Sequence, residues 1–166
     1  MLLLYRPDDY AILQEMLSTT AAMSEGELMQ NVSSEVLEPV VPEATRRVEG
    51  PAFRQAQRTA KGHPTNAYLD IITRKTAMLM RSCCAAGALS VNASPEQVQQ
   101  IADFGLNFGI LFQLRDDLLD GENTTEAQAL LPEYLQKTLD SLKHFPASET
   151  LEALRDLTTF CAERKE

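Results

Sequence analysis

Asp116, Asp117 and Asp120 close the run Gly109-Ile110-Leu111-Phe112-Gln113-Leu114-Arg115-Asp116-Asp117-Leu118-Leu119-Asp120. On an α-helix, Asp116 and Asp120 lie one turn apart on a shared face, and Asp117 flanks them. Like charges held that close repel, so another group has to compensate. A hard cation such as Mg²⁺ takes oxygen ligands and usually shares them with substrate phosphates. The apolar run ahead of the aspartates suits a ligand with a hydrocarbon tail and a diphosphate head. Taken alone, these residues fit a solvated helix end equally well in a chain with 24 acidic residues. The preceding Gly109-x-x-Phe112-Gln113 and two polar segments upstream strengthen the reading as a site.

The first of those segments is Tyr68-Leu69-Asp70-Ile71-Ile72-Thr73-Arg74-Lys75-Thr76. It places Lys75 and Thr76 mid-helix in an apolar setting. A lysine there commonly snorkels its head group to water. Beside a carboxylate-held diphosphate it becomes a compact counter-charge. The second is Glu25-Gly26-Glu27-Leu28-Met29-Gln30. Its polar residues interrupt an apolar helix, and an exposed face and a site-lining role fit them equally.

The elements that position these residues are helical, and alternating strand patterns are nearly absent. Ile12, Leu13, Met16, Leu17, Met23, Leu28 and Met29 give residues 8–30 a helical period. Residues 31–64 read as an irregular insertion, punctuated by Pro39, Pro42 and Gly50. Within it, Pro51 to Lys61 suggests a short solvated helix ended by Gly62-His63-Pro64. A strong helix is expected over about 66–90, capped by Thr65 or Asn66. Its small-residue half, Cys83 to Ala88, favours close helix approach. Ser94-Pro95-Glu96-Gln97 is a helix-start signature: a cap Ser, Pro at the first position and Gln at the third. That helix runs to about Leu119, where Gly121 stops it. Gly105 and Gly109 within it each weaken it by about 1 kcal/mol, which implies close packing or a kink. Two more helices are expected, about 125–144 and 148–164.

The chain has 166 residues and reads as a single helical domain, 1–166, large enough for a real core. Its formal charge is −9, with 15 basic residues. Nonspecific nucleic-acid binding needs a basic footprint that these totals do not supply. No window of about 18 continuous apolar residues predicts a membrane span. Met1 to Pro7 holds a very short apolar run and no basic n-region, so no signal peptide is expected there. Cys83, Cys84 and Cys161 lack metal-ligand spacing. They read as reduced, mostly buried thiols, and the expected location is cytoplasmic.

In order, E-G-E-x-x-Q, Y-L-x-I-I-x-x-K-T and G-x-x-F-Q-x-x-D-D-x-x-D resemble the trans-polyprenyl diphosphate synthases over residues 8 to 120. The resemblance implies an all-α helical bundle of the isoprenoid-synthase type, here partial, around a central cavity. It implies transfer of an allylic prenyl diphosphate onto isopentenyl diphosphate, with Mg²⁺ as cofactor. Asp116, Asp117 and Asp120 would then be the second of two aspartate-rich motifs, binding the allylic diphosphate through the metal. Asp116, Asp117, Lys75 and Gln113 would be the catalytic residues. Lys75 would contact the diphosphate, Thr76 and Phe112 would line the substrate site, and Gln113 would orient the site near the reacting carbon. Family members usually form homodimers through helices that include the region matched by residues 8–30.

Several family features do not appear in this sequence. The first D-D-x-x-D, upstream of E-G-E-x-x-Q, has no counterpart, because Asp8-Asp9 is followed by Tyr10, Ala11 and Ile12. Neither has the Gly-Lys-Arg segment that serves isopentenyl diphosphate. The 37 residues between Gln30 and Tyr68 exceed the usual spacing. After Asp120, Gly121-Glu122-Asn123 leads straight into a new helix, without the family's Gly-Lys and Asp-Leu segment. The expectation is therefore the C-terminal half of a synthase, inactive alone and completed by an N-terminal half. The alternative is a non-catalytic regulatory subunit of a heteromeric prenyl synthase.

Overall fold

A computed structural model describes residues 9–35 and 64–165. Its elements are α1 (Asp9–Glu35), α2 (Pro64–Ile72), a π-helical turn (Thr73–Ala77), α3 (Met78–Ser90), α4 (Pro95–Asp120), α5 (Thr124–Ser141) and α6 (Glu149–Glu163). No strand occurs among the described residues, as the absence of alternating patterns predicts. α4 is the axis of the bundle. It packs along α3 on one side and α5 on another, while α6 closes against α4 and α5. α1 lies across α3 and the π turn.

The boundaries of α4 follow from local chemistry. The Ser94 hydroxyl accepts from the Gln97 amide at 3.2 Å, and the Ser94 amide donates to Gln97 Oε1 at 3.0 Å. This closes the expected capping box with Pro95 at the first helical position. At the other end Gly121 adopts φ 77°, the left-handed conformation that releases the chain from the helix. Ser148 caps α6 with its hydroxyl as Ser94 caps α4, accepting from the Leu151 amide at 3.1 Å.

Gly105 and Gly109 serve close packing, and α4 runs uninterrupted through both. A Cβ on Gly109 would lie 2.6 Å from Ala77 Cα, and one on Gly105 would lie 2.7 Å from the Met80 carbonyl oxygen. α4 therefore touches the backbone of the π turn and of α3 directly. Ile72, Ala77, Ile110 and Leu114 form the core at this contact, and Ala127 of α5 completes it. Phe104, Leu142 and Leu151 make a second core between α4 and the start of α6. α1 is fastened by polar groups: Arg81 and Ser82 both hold Glu15, and the Thr19 and Ser82 hydroxyls bond each other where both residues are buried.

Three expectations need adjustment. The helix expected over 66–90 begins at Pro64 and is divided by the π turn. α1 continues to Glu35, so the first residues of the expected insertion are helical. Residues 36–63, with the rest of that insertion and the suggested helix at 51–61, lie outside the described residues. Of the three thiols, Cys161 is buried, Cys84 is half-buried and Cys83 is exposed. Neighbours on a helix point about 100° apart, and Cys83 falls on the outward side. Burial raises the pKa of Cys84 and Cys161. No helix of the described residues is long and apolar enough to cross a membrane.

Candidate active site

The last two turns of α4 carry the aspartates, and each meets a different environment. Asp117 is 6% exposed. Its Oδ2 accepts from the Tyr68 hydroxyl at 2.6 Å, and its Oδ1 accepts from Gln113 Nε2 at 2.8 Å. Gln113 Oε1 in turn accepts from the Thr76 hydroxyl at 2.8 Å. Tyr68, Asp117, Gln113 and Thr76 thus form one hydrogen-bonded chain from α2 through α4 to the π turn. Asp116 turns elsewhere and pairs with Arg164, Nη2 to Oδ1 at 2.8 Å. Asp120 is exposed and has no hydrogen-bond or ion-pair partner among the described residues.

The π turn sets the positions of Lys75 and Thr76. A π turn inserts one extra residue into the helical repeat and often marks a functional segment. Here two adjacent residues reach opposite neighbours. Thr76 goes to α4, while Lys75 Nζ goes to α1, to Gln30 Oε1 at 2.8 Å and Glu27 Oε1 at 3.4 Å. Arg74 joins Glu25 at 2.5 Å and Asp70 at 3.1 Å. Gly26 makes this seam possible, because a Cβ there would lie 2.8 Å from the Lys75 amide nitrogen. The polar residues of E-G-E-x-x-Q therefore bind the Arg74-Lys75 segment and do not merely face water.

The structure brings Thr76, Gln113 and Asp117 together. It places Phe112 under Arg164, whose guanidinium lies 4.5 Å from the ring centroid. Lys75 is engaged with α1 and makes no direct contact with an aspartate among the described residues. Two residues absent from the sequence-derived site belong to it: Tyr68, which opens the Y-L-x-I-I-x-x-K-T motif, and Arg164, at the far end of the chain.

Burial, then the hydrogen bond to Asp117 and the charges of Asp117 and Glu126, push the Tyr68 phenol far above its usual 10.0. The folded protein keeps this proton above pH 10, while the unfolded chain releases it. Stability is therefore present below pH 10 and lost above it. The loss from this group grows as the pH rises past 10. Lysines also titrate there, so the informative quantity is a difference. The stability gap between the wild type and Tyr68→Phe should narrow between pH 9 and 11 in denaturant unfolding. A constant gap would show that the phenol is not held in its protonated form.

Among the described residues no three acidic, imidazole or thiol groups converge into a ready-made cation cage. The donor set still fits a magnesium-like ion. Such an ion keeps several waters and needs only one or two carboxylates plus substrate phosphate oxygens. Asp120 is open, Asp116 shares its face, and Asp117 is held beside them.

A bundle of this topology, with an aspartate-rich helix end set against a polar helical turn, is an all-α fold of the isoprenoid-synthase type. The chain belongs to the Polyprenyl synthetase family, which matches residues 2–129. It is 48% identical to a geranylgeranyl diphosphate synthase of Sulfolobus acidocaldarius over 52 residues, 31% of this chain and 16% of that protein. It is 35% identical to the farnesyl diphosphate synthase of Bacillus subtilis over 83 residues, 43% of this chain and 27% of that one. Among solved structures, the geranylgeranyl pyrophosphate synthase of Corynebacterium glutamicum, complexed with calcium and isoprenyl diphosphate, superposes with TM-score 0.70 at 18% identity. That match covers 93% of this chain and 60% of the other. A polyprenyl synthase of Caulobacter crescentus, in a complex of the same kind, gives TM-score 0.68 at 20% identity, over 94% of this chain and 60% of the other. The matched segments make up about a quarter or less of the relatives' own length.

Proposed function

We propose that this chain serves prenyl transfer, in which an allylic prenyl diphosphate condenses with isopentenyl diphosphate. The observation that carries the reading is the fixed Asp117. A buried carboxylate held by Tyr68 and Gln113 beside two further carboxylates concentrates negative charge at the end of α4, and a divalent cation would offset it. The relatives' names and the calcium and isoprenyl diphosphate of the two solved complexes agree with it.

Asp116 and Asp120, with Asp117 behind them, would hold the divalent cation. When bound, Mg²⁺ would neutralise the diphosphate as the allylic C–O bond breaks with its electron pair. Thr76 and Gln113 hold the wall of the site in register through Asp117. Lys75 would move from Gln30 and Glu27 toward the diphosphate as a point charge. Water would have to be excluded from the carbocation, which the double bond of isopentenyl diphosphate attacks before a proton is lost. On this reading a first aspartate-rich motif and the isopentenyl diphosphate site come from a segment or subunit outside residues 1–166. The exposed Leu13, Met16, Leu17 and Leu28 of α1 fit coverage by a second chain.

The test is thermal unfolding of the 166-residue chain with Mg²⁺, farnesyl diphosphate, or both. A ligand at about 100 times its Kd adds roughly 2.7 kcal/mol, a rise of several degrees for a domain of this size. The rise should require both components. No rise with both, in the chain alone and again with an N-terminal half supplied in trans, would overturn the reading.

A further inference from the structure

We propose that Arg164 is a resident counter-cation of the aspartate site, a latch that a divalent cation must displace from Asp116. The inference rests on the metal-binding reading of Asp116 and Asp120.

Four contacts fix Arg164. Its amide bonds the Phe160 carbonyl at 2.9 Å, ending α6. Its own carbonyl accepts from Arg115, through Nε at 2.7 Å and through Nη2. Its guanidinium stacks on the Phe112 ring, and its Nη2 reaches Asp116. Phe112, Arg115 and Asp116 stand at i, i+3 and i+4, on one face of α4. A single turn of α4 therefore grips the residue that ends α6 by main chain, ring and charge together. Chance pairing of two surface side chains would not combine all three.

The grip competes with a metal. The guanidinium and a hard cation both need the negative charge and lone pairs of Asp116. The Arg164 side chain is 20% exposed and that of Asp116 is 41% exposed, so the pair is partly desolvated. The closed state is also incompletely satisfied, because Arg164 Nε is buried with no hydrogen-bond partner among the described residues. Opening would hydrate that donor, which lowers the cost of release. Asp120, on the same face and without a partner among the described residues, offers a first ligand for the incoming ion.

Mn²⁺ binding to the full chain, read from the free-ion electron paramagnetic resonance signal, tests the latch. Arg164→Gln should bind Mn²⁺ up to about fivefold tighter than wild type, on the scale of one partly exposed ion pair removed. Arg164→Lys keeps the charge but loses the planar fork and the stacking, and should fall between them. In the wild type, saturating Mn²⁺ should speed hydrogen exchange at amides 160–165. Equal affinity in wild type and both variants, with Asp120→Asn still weakening binding, would overturn the latch and leave the metal reading intact. Mn²⁺ binding indifferent to both Asp116→Asn and Asp120→Asn would overturn the metal reading, and the latch with it. A lower melting temperature in Arg164→Gln with unchanged Mn²⁺ affinity would reduce Arg164 to a structural contact.

Discussion

Gly109→Val should lower the melting temperature by about 10 °C, while Gly87→Ala should raise it slightly. The two glycines sit in neighbouring helices and meet opposite conditions. At Gly109 a Cβ would fall 2.6 Å from Ala77 Cα and 3.0 Å from Ala77 Cβ. These are atoms of the backbone and of a residue with no exposure, so they cannot rotate aside. Overpacking of that kind costs about 3 kcal/mol, and a domain of this size loses roughly 2–4 °C per kcal/mol. At Gly87 no atom of the described residues lies within 4 Å of a Cβ. Alanine there gains about 0.5–1 kcal/mol of helix propensity. Differential scanning of the two variants checks both signs. A neutral Gly109→Val would mean that α4 and the π turn do not touch as described.

The consequence of Gly109→Val extends to the site. Gln113 lies one turn beyond Gly109 on α4, and its bond to Thr76 spans the same contact. Separating α4 from the π turn lengthens that bond and removes the support behind Asp117. The variant should therefore lose the Mg²⁺ and farnesyl diphosphate response even at temperatures where it remains folded.

This contact also marks the limit of what the sequence discloses. Ser94-Pro95-Glu96-Gln97 and Gly121 are legible because caps and stops are local chemistry among a few adjacent residues. Gly105 and Gly109 are legible as close-packing or kink positions, but the partner that decides between the two is not. The π turn is not legible either. Thr73-Arg74-Lys75-Thr76-Ala77 has no local feature demanding an extra residue. The turn is instead held between Gly26 of α1 and Gly109 of α4, which approach Lys75 and Ala77 through contacts that only the fold creates.

The same distinction separates the site residues. Thr76, Gln113 and Asp117 lie in motifs whose chemistry is legible, and the fold joins them in one chain. Tyr68 stands inside one of those motifs, but its role depends on a carboxylate 49 residues away. Arg164 has no local signal, because its partner Asp116 is 48 residues distant on another element. The crowding of three aspartates does predict that something must compensate. The described residues show two kinds of compensation: neutral donors around Asp117 and an internal cation on Asp116.

Asp117→Ala and Asp120→Ala should therefore abolish the same ligand response at very different structural cost. Asp117 is buried, and its removal leaves the Tyr68 hydroxyl and the Gln113 amide without their acceptor. Hydrogen bonds to a charged group are worth about 1.5–3 kcal/mol each, and a stranded buried donor costs a comparable amount. Relief of repulsion from Asp116 offsets part of this, which leaves a net loss of about 2–4 kcal/mol. Asp120 is exposed with no partner among the described residues, so Asp120→Ala should change stability by less than about 0.5 kcal/mol. Both variants should lose the rise in melting temperature produced by Mg²⁺ with farnesyl diphosphate, one through the scaffold of the site and the other through a ligand to the metal. Urea unfolding gives the first quantity and thermal unfolding with both ligands gives the second. If Asp120→Ala kept the full response, the cation would not sit on the exposed face of α4. If Asp117→Ala were as stable as the wild type, the chain of hydrogen bonds from Tyr68 to Thr76 would not be what holds the end of α4 in place.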